Sequence, residues 1–275
     1  MPELATTASG SVPAVEPAEG WPATVLPTAR TPRPTGPGAK FQRVAAIIPA
    51  LNEEQVIAST VRAVKAIPNV DLVLVVDDGS TDRTGEVARG AGAVVVRHPH
   101  NRGKSETMET GAQVVAMRDL PGGTPRLLLF IDADMGEAAV NAAPLVPPVL
   151  GGYADLAIAL QPLRPGVKKD SRTVRTARHA IKRLTGWTPT QPLGGMRCLT
   201  REAFEAATPL AYRWGVEVGM TIDLVRAGYV AVEVPCDLHW QPSSLDGHAA
   251  GHRMDIFNDV VRAITVRRLR AALGG

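Results

Sequence analysis

Cysteine is almost absent from the 275 residues: only Cys198 and Cys236 occur, and no Asn-x-Ser/Thr acceptor site accompanies them. That count excludes a disulfide framework and a paired-cysteine structural zinc, and it makes a reducing cytoplasm the expected compartment. Long apolar runs are missing too. The longest, at 44–48, 72–76 and 127–131, are strand-sized and far below the roughly 20 residues of a membrane-spanning helix. Neither sign of charge dominates: 30 Lys+Arg face 27 Asp+Glu, a net charge of +3 that gives no grounds for a nucleic-acid partner. What is present is ordinary for a folded protein. At 45% apolar and 21% charged, the chain is neither disordered throughout nor collagen-like. Its length suits one large α/β domain or two small ones.

The first forty residues stand apart. They hold eight of the 23 prolines among Ala, Thr, Gly and Ser, show no periodicity, and are expected to form a disordered tail, 1–40. Residues 1–20 lack the basic start and apolar run of a secretory signal. From Arg43 onward, short apolar runs alternate with amphipathic stretches. Val44-Ala-Ala-Ile-Ile48, Leu72-Val-Leu-Val-Val76, Ala93-Val-Val-Val96 and Arg126-Leu-Leu-Leu-Phe-Ile131 read as strands. Helices are predicted over 53–67, 81–91 and 106–118, and further strands over 154–160 and 230–234. Strands that are apolar throughout and separated by helices belong to a parallel sheet covered on both faces.

Ligands of such sheets bind beyond the carboxyl ends of the strands. Those ends carry Pro49-Ala-Leu-Asn52-Glu53-Glu54, Asp77-Asp78-Gly79-Ser80-Thr81-Asp82, His98-Pro-His-Asn101-Arg102-Gly103-Lys104 and Asp132-Ala133-Asp134. In Asp132-x-Asp134 the two carboxylates point to one side of an extended segment, and like charges so close call for a cation. Hard oxygen donors with open positions suit Mg2+ or Mn2+ bridging to substrate phosphates. Gly79 makes a turn, and Ser80 or Thr81 is expected to cap the next helix. Asp78 is not needed for capping and suits a nucleobase or ribose edge. Asn52-Glu53-Glu54 either caps the first helix or sends Glu53 to a nucleoside hydroxyl. Gly103-Lys104 looks like a phosphate-binding turn, although the P-loop pattern is missing. Gly90-x-Gly92 precedes a strand, which excludes a dinucleotide site of the Rossmann type.

In order and spacing, these four motifs resemble the family 2 type glycosyltransferases of GT-A fold, over residues 43–240. Within that group, Gln191-Pro-Leu-Gly194-Gly195 and Gly215-Val-Glu217-Val-Gly219 are similar to the bacterial glucosyl-3-phosphoglycerate synthases. The polyprenyl-phosphate sugar synthases are the next nearest relatives. The resemblance implies an α/β, Rossmann-like, mostly parallel sheet flanked by helices, with a C-terminal acceptor-side subregion. The nucleotide-sugar half is expected at 41–135, the acceptor half at 136–240, and a lid with a C-terminal amphipathic helix at 241–275. The implied donor is a nucleotide-diphosphate sugar, UDP-glucose before others, with Pro49, Ala50, Leu51 and Glu53 lining the nucleoside pocket. Lys104, Asp132, Ala133 and Asp134 would bind ribose, diphosphate and metal, and His239 would complete the metal site. Asp78 stands where the family usually has Ser, and Ala133 replaces the Ser of its Asp-Ser-Asp; both departures bear on base preference.

Gly194, Gly195 and Glu217 are the implied acceptor-side residues, although Glu217 also reads as an acid in the first turn of a helix. Residues 164–183 contain eight Lys/Arg and one acid. This is either a solvated face or a site for an anionic acceptor, with Arg164, Lys168 and Lys169 foremost. Such an acceptor would be a small phosphorylated acid such as 3-phosphoglycerate, or a lipid phosphate. His248 and His252 are assigned to the lid rather than to zinc. Residues 253–273 are amphipathic: they pack on the body, form a homodimer, or rest on an anionic membrane. Lys104 would stabilise the departing diphosphate. An inverting reaction would need Glu217 or Asp237 as general base, whereas in a retaining one the leaving phosphate takes the proton. Other classes left open are a polyprenyl-phosphate synthase using GDP-mannose or UDP-glucose, a sugar nucleotidyltransferase, and a non-catalytic nucleotide-sugar binding module.

Overall fold

The computed structural model describes residues 42–162, 171–238 and 249–273. The expected tail, Arg164, Lys168, Lys169, His239 and His248 lie outside these residues. The elements are β1 (Val44–Ala50), α1 (Ile57–Lys65), β2 (Val70–Asp77), α2 (Thr84–Gly90), β3 (Val94–Arg97), α3 (Lys104–Met117) and β4 (Leu127–Phe130). A 3-10 stretch, Ala133–Leu145, runs into α4 (Val146–Leu150) and β5 (Leu156–Leu160). After these come α5 (Arg172–Thr185), β6 (Arg197–Leu199), α6 (Arg201–Ala207), a 3-10 turn Arg213–Gly215, α7 (Val216–Arg226), β7 (Ala231–Pro235) and α8 (Ala249–Ala272).

The strands form one sheet in the order β3-β2-β1-β4-β6-β5-β7. β1, β2, β3 and β4 are mutually parallel, as are β5 and β7, while β6 runs antiparallel to both its neighbours. The register sets Ile47 against Leu74 and Phe130, in the middle of the sheet. Side-chain alternation then divides the core. Val44, Ala46 and Ile48 pack with Ile57, Val61 and Val64 of α1 and with Ala139 and Ala142 of the 3-10 stretch. Ala45 and Ile47 pack on the other face with Met108, Ala112 and Val115 of α3. The mostly parallel, doubly covered α/β sheet is the architecture expected from the apolar runs.

The α3 contact is tight. A Cβ built on Gly111 would lie 2.5 Å from Cγ2 of Ile47, which is wholly buried. Overpacking of this kind costs about 1–3 kcal/mol, while alanine in a helix interior regains at most ~1 kcal/mol. Gly111→Ala should therefore lower stability by about 1–2 kcal/mol. Urea unfolding would show it, and a stabilised variant would contradict the packing.

Two helix starts differ from expectation. α1 begins at Ile57 rather than at residue 53, because the amides of Asn52, Glu53 and Glu54 donate to Ser80 Oγ (3.0 Å), Thr84 Oγ1 (2.7 Å) and Asp82 Oδ2 (3.1 Å). Asn52, at φ +56°, turns the chain there. α2 begins at Thr84 with neither Ser80 nor Thr81 as its cap. Ser80 receives Asn52, and Thr81 N–H donates to Asn52 Oδ1 at 2.8 Å. Asp82 instead accepts from Thr84 N–H at 2.9 Å. The first two loops are thus sewn to each other as well as to their own helices.

Of the three outcomes weighed for the C-terminal helix, packing on the body is what the fold displays. Val260, Ala263, Ile264 and Arg267 of α8 are buried, and the Arg267 guanidinium bonds Asp223 of α7 and Gly219 O. Among the described residues, no helix is long and apolar enough to cross a membrane.

Candidate active site

The carboxyl ends of β1, β2, β3 and β4 lie side by side, and the loops that follow them meet there. Pro49 and Leu51 are partly buried and Ala50 is buried. The Ala50 carbonyl accepts Asp78 N–H at 2.8 Å, which locks the first loop to the second. Glu53 lies at the mouth of these loops. Its carboxyl is pushed up to about 7, first by burial and then by the negative charges of Asp134 and Asp82.

Asp78 takes a different place from the one expected. It is 5% exposed. Its Oδ1 meets His98 Nδ1 at 2.7 Å and accepts Arg102 N–H at 2.9 Å, and its Oδ2 accepts Gly103 N–H at 2.8 Å. His98 is fixed in turn by Thr110 Oγ1 at 2.9 Å. The carboxylate therefore braces the 98–103 loop instead of standing open to a nucleobase. A buried acid with three donors around it is satisfied without a ligand.

That brace delivers Lys104, the first residue of α3, to the centre of the rim. Its Nζ lies 3.0 Å from Asp132 Oδ1 and 3.0 Å from Glu217 Oε1. Burial alone would lower the lysine's proton affinity, but Asp132 and Glu217 outweigh it and raise the pKa above the ordinary value. Lys104 is therefore a fixed cation and cannot serve as a base. Gly103 N–H is spent on Asp78, which leaves the Lys104 ammonium as the cationic group of the expected phosphate-binding turn. Glu217 is 6% exposed in the first turn of α7, as its helical reading has it, and it points its carboxylate at Lys104. Of the two carboxylates weighed as general base, Glu217 is the one bonded to this lysine. Asp237 is exposed beyond β7, and its carbonyl accepts from Asn141 Nδ2 at 2.8 Å.

Gly195, two residues before β6, closes the cluster on another side. A Cβ there would lie 2.8 Å from Lys104 Nζ and 3.1 Å from Asp132 Oδ2. Its segment is held by residues that pattern reading missed. Both oxygens of Glu233, buried on β7, accept the amides of Thr190 and Gln191 at 2.8 Å. Arg197, 1% exposed, donates from Nε to Gly194 O (2.9 Å) and from Nη1 to Thr221 Oγ1 (3.3 Å), while its Nη2 has no hydrogen-bond partner. Burial lowers the Arg197 pKa to about 10 against the opposing pull of Glu217 and Asp132. Two cations and two carboxylates, Lys104, Arg197, Asp132 and Glu217, thus balance one another. A signal for Glu233 was available: it is an acid inside an otherwise apolar strand.

The basic run is divided in use. Arg178 on α5 donates to the carbonyls of Pro189 (3.1 Å) and Thr190 (2.9 Å), supporting the same segment. Arg172 lies over the Phe257 ring at 4.8 Å. Both arginines thus have partners within the fold itself.

The remaining carboxylates suit a divalent cation. Asp134 stands two residues beyond Asp132, and its charge is felt by Glu53 together with that of Asp82. Carboxylate oxygens of this kind are hard donors that suit Mg2+ or Mn2+. Ala133, between the two acids, is buried, and its carbonyl accepts the Thr60 hydroxyl at 2.7 Å.

This geometry agrees with sequence comparison. The pattern of glycosyl transferase family 2 matches residues 45–207, more than half of the chain. The chain belongs to that family. A glucosyl-3-phosphoglycerate synthase of Mycolicibacterium smegmatis is 31% identical over 200 residues, covering 66% of this chain and 63% of the relative. The chain therefore spans less than two thirds of that relative's length. Among solved structures, the Mycobacterium tuberculosis glucosyl-3-phosphoglycerate synthase with Mn2+, UDP and phosphoglyceric acid superposes with a TM-score of 0.65 at 26% identity. That match covers 82% of this chain and 78% of the other. The same enzyme with Mg2+ and UDP gives a TM-score of 0.63 at 27% identity, over 82% and 79% of the two chains. The GT-A architecture of these neighbours is the architecture of this family member.

Proposed function

We propose that this family 2 member transfers a hexosyl group from a nucleoside-diphosphate sugar to a hydroxyl of a small anionic acceptor. UDP-glucose is the proposed donor and a phosphorylated hydroxy acid such as 3-phosphoglycerate the proposed acceptor. The observation that carries the reading is Lys104, held 3.0 Å from both Asp132 and Glu217 at the rim where four parallel strands end.

In this reading Pro49, Ala50, Leu51 and Glu53 border the nucleoside. Asp132 and Asp134, with His239 from the family resemblance, would hold Mg2+ or Mn2+, which supplies positive charge to the diphosphate. The anomeric C–O bond breaks, the nucleoside diphosphate leaves with the electron pair, and the acceptor hydroxyl oxygen forms the new bond. Lys104, a permanent cation here, stabilises the charge growing on the leaving group. Gly195 keeps a side chain out of the space beside Lys104 and Asp132, where the sugar would sit, and Gly194 packs against Ile158 behind it. The acceptor proton goes to Glu217 if configuration inverts, or to the leaving diphosphate if it is retained. NMR of the product anomer distinguishes the two courses.

The test is incubation of the full chain with UDP-glucose, Mg2+ or Mn2+, and 3-phosphoglycerate. UDP and a glucosylated acid should accumulate. Release of pyrophosphate would instead mean nucleotidyl transfer, and donor binding without turnover on any acceptor would mean a non-catalytic module. Gly195→Ala sharpens the assignment. A methyl 2.8 Å from Lys104 Nζ must displace the ammonium, and displacement of a catalytic group by ~1 Å costs about 100-fold in rate. Turnover should fall by that order while the protein remains folded by circular dichroism. Wild-type turnover would remove Lys104 from the reaction.

A further inference from the structure

Beside the Lys104 cluster lies a pair of arginines that neither the mechanism nor the sequence motifs use. Arg213 opens the 3-10 turn that leads, one helical turn later, to Glu217. Its φ of +45° is a left-handed conformation uncommon for a residue with a side chain. The turn is tied to α3, because Arg213 N–H donates to Ser105 Oγ at 3.2 Å. Its side chain lies across the residue before Lys104: a Cβ on Gly103 would be 3.0 Å from Arg213 Cγ. Gly103 itself has φ +94°, so this crossing needs glycine for both space and conformation.

The Arg213 guanidinium lies 5.3 Å from the Tyr212 ring centroid. Arg262 of α8 reaches the same ring, also at 5.3 Å. Arg102, nearby in sequence to Gly103, is neutralised by Glu106 at 2.7 Å, but Arg213 and Arg262 have no carboxylate within ion-pair distance among the described residues. Tyr212 is 48% exposed and Trp214 36%, so the pair is open to a ligand. Both guanidiniums are carried by one aromatic ring. Their planar forks match phosphate and carboxylate geometry.

We propose that Arg213 and Arg262, carried on Tyr212, form an anion-binding subsite that captures the phosphate or carboxylate of the acceptor next to Lys104 and Glu217. The proposal rests on the glycosyl-transfer reading above and gives its acceptor side a location. It also places the anion site not in the basic run 164–183 expected from the sequence but between the 3-10 turn before α7 and α8. The residues concerned lie far apart in the chain. α8 therefore has a second task besides packing, because Arg262 stands on its outward side while Val260 and Ile264 are buried.

The experiment measures binding by calorimetry, with Mg2+ and UDP present, for wild type, Arg213→Ala, Arg262→Ala, and the corresponding lysine variants. Two probes are used: 3-phosphoglycerate, and a short polyprenyl phosphate in detergent. One probe should bind wild type and weaken about tenfold or more in each alanine variant, with smaller losses for lysine and smaller differences at high salt. The probe that responds identifies the source of the phosphate, free acid or lipid. UDP affinity and the melting temperature should stay at wild-type values, which separates loss of the subsite from loss of the fold. Wild-type affinity in both alanine variants, or no binding of either probe to wild type, would overturn the proposal. UDP release from UDP-glucose is followed in parallel. If anion binding depends on the arginines but no UDP forms, the transfer reading fails and the subsite stands. If UDP forms and the arginines are indifferent, the subsite fails and the transfer reading stands.

Discussion

Asp134→Ala should abolish the dependence of UDP binding on Mg2+ or Mn2+ and reduce turnover by about a thousandfold. Glu53 feels the negative charge of this corner: its carboxyl is pushed up to about 7 by burial and then by the charges of Asp134 and Asp82. A divalent ion held at Asp134 would relieve that repulsion. Lys104 does not meet this need, since its ammonium is shared between Asp132 and Glu217 at 3.0 Å each. Removing Asp134 leaves Asp132 as a lone, lysine-paired carboxylate, too weak a site for a metal that must also grip a diphosphate. Charge stabilisation of the leaving group by a metal amounts to several kcal/mol, and each 1.36 kcal/mol is a factor of ten. Calorimetry with UDP, in metal and then in chelator, makes the comparison. A variant that still binds UDP more tightly with metal would refute the assignment of Asp134.

Arg197→Met should destabilise the protein by about 3–5 kcal/mol, the usual cost of stripping one partner from a buried charge cluster. Arg197 is 1% exposed and sits with Lys104, Asp132 and Glu217 in a balanced set of charges. Methionine fills much of the same volume but leaves Gly194 O and one lone pair of Thr221 without their donor. It also leaves Glu217, 6% exposed, with only the ammonium it already shares. Urea denaturation measures the loss. Adding Glu217→Gln should restore part of it, because the orphaned charge is then gone, and strictly additive effects of the two substitutions would show that the charges do not communicate. The unpartnered Nη2 of Arg197 indicates a cation retained for its field on the site as well as for its hydrogen bonds.

The departures from the sequence reading have particular causes. β6 went unread because it is three residues long and begins with Arg197, so it offers neither an apolar run nor alternation. α5 lies within the basic run, where a solvated helix is one of the two readings, and Ser171 at its start, accepting Val174 N–H, and the left-handed Gly186 at its end are ordinary boundary signals. Asp78 was assigned to a ligand because strand-end acids usually face one. The amides of Arg102 and Gly103, from the loop beyond β3, reach it first. Glu53 was placed in a helix because the apolar spacing of Val56, Ile57, Val61 and Val64 extends to it, whereas the amides of 52–54 found side-chain acceptors on the neighbouring loop.

The sheet, its parallel sense and the polar rim follow from local pattern. A strand buried on both faces must be apolar throughout, and the residues after it must leave the core, so each segment carries its own instruction. The motifs themselves were readable for the same reason, since each occupies a few consecutive residues after one strand. The charge cluster is of another kind. Lys104 meets Asp132 across 28 positions and Glu217 across many more, and Arg213 and Arg262 share the Tyr212 ring only because α8 returns to it. No window of sequence contains such pairs. They exist because the antiparallel β6 seats Gly195 and Arg197 beside the end of β4, and because the 3-10 turn before α7 is tied to α3 through Arg213 N–H and Ser105 Oγ. Where apolar burial acts segment by segment, composition is enough; where charges must balance across segments, the path of the whole chain decides.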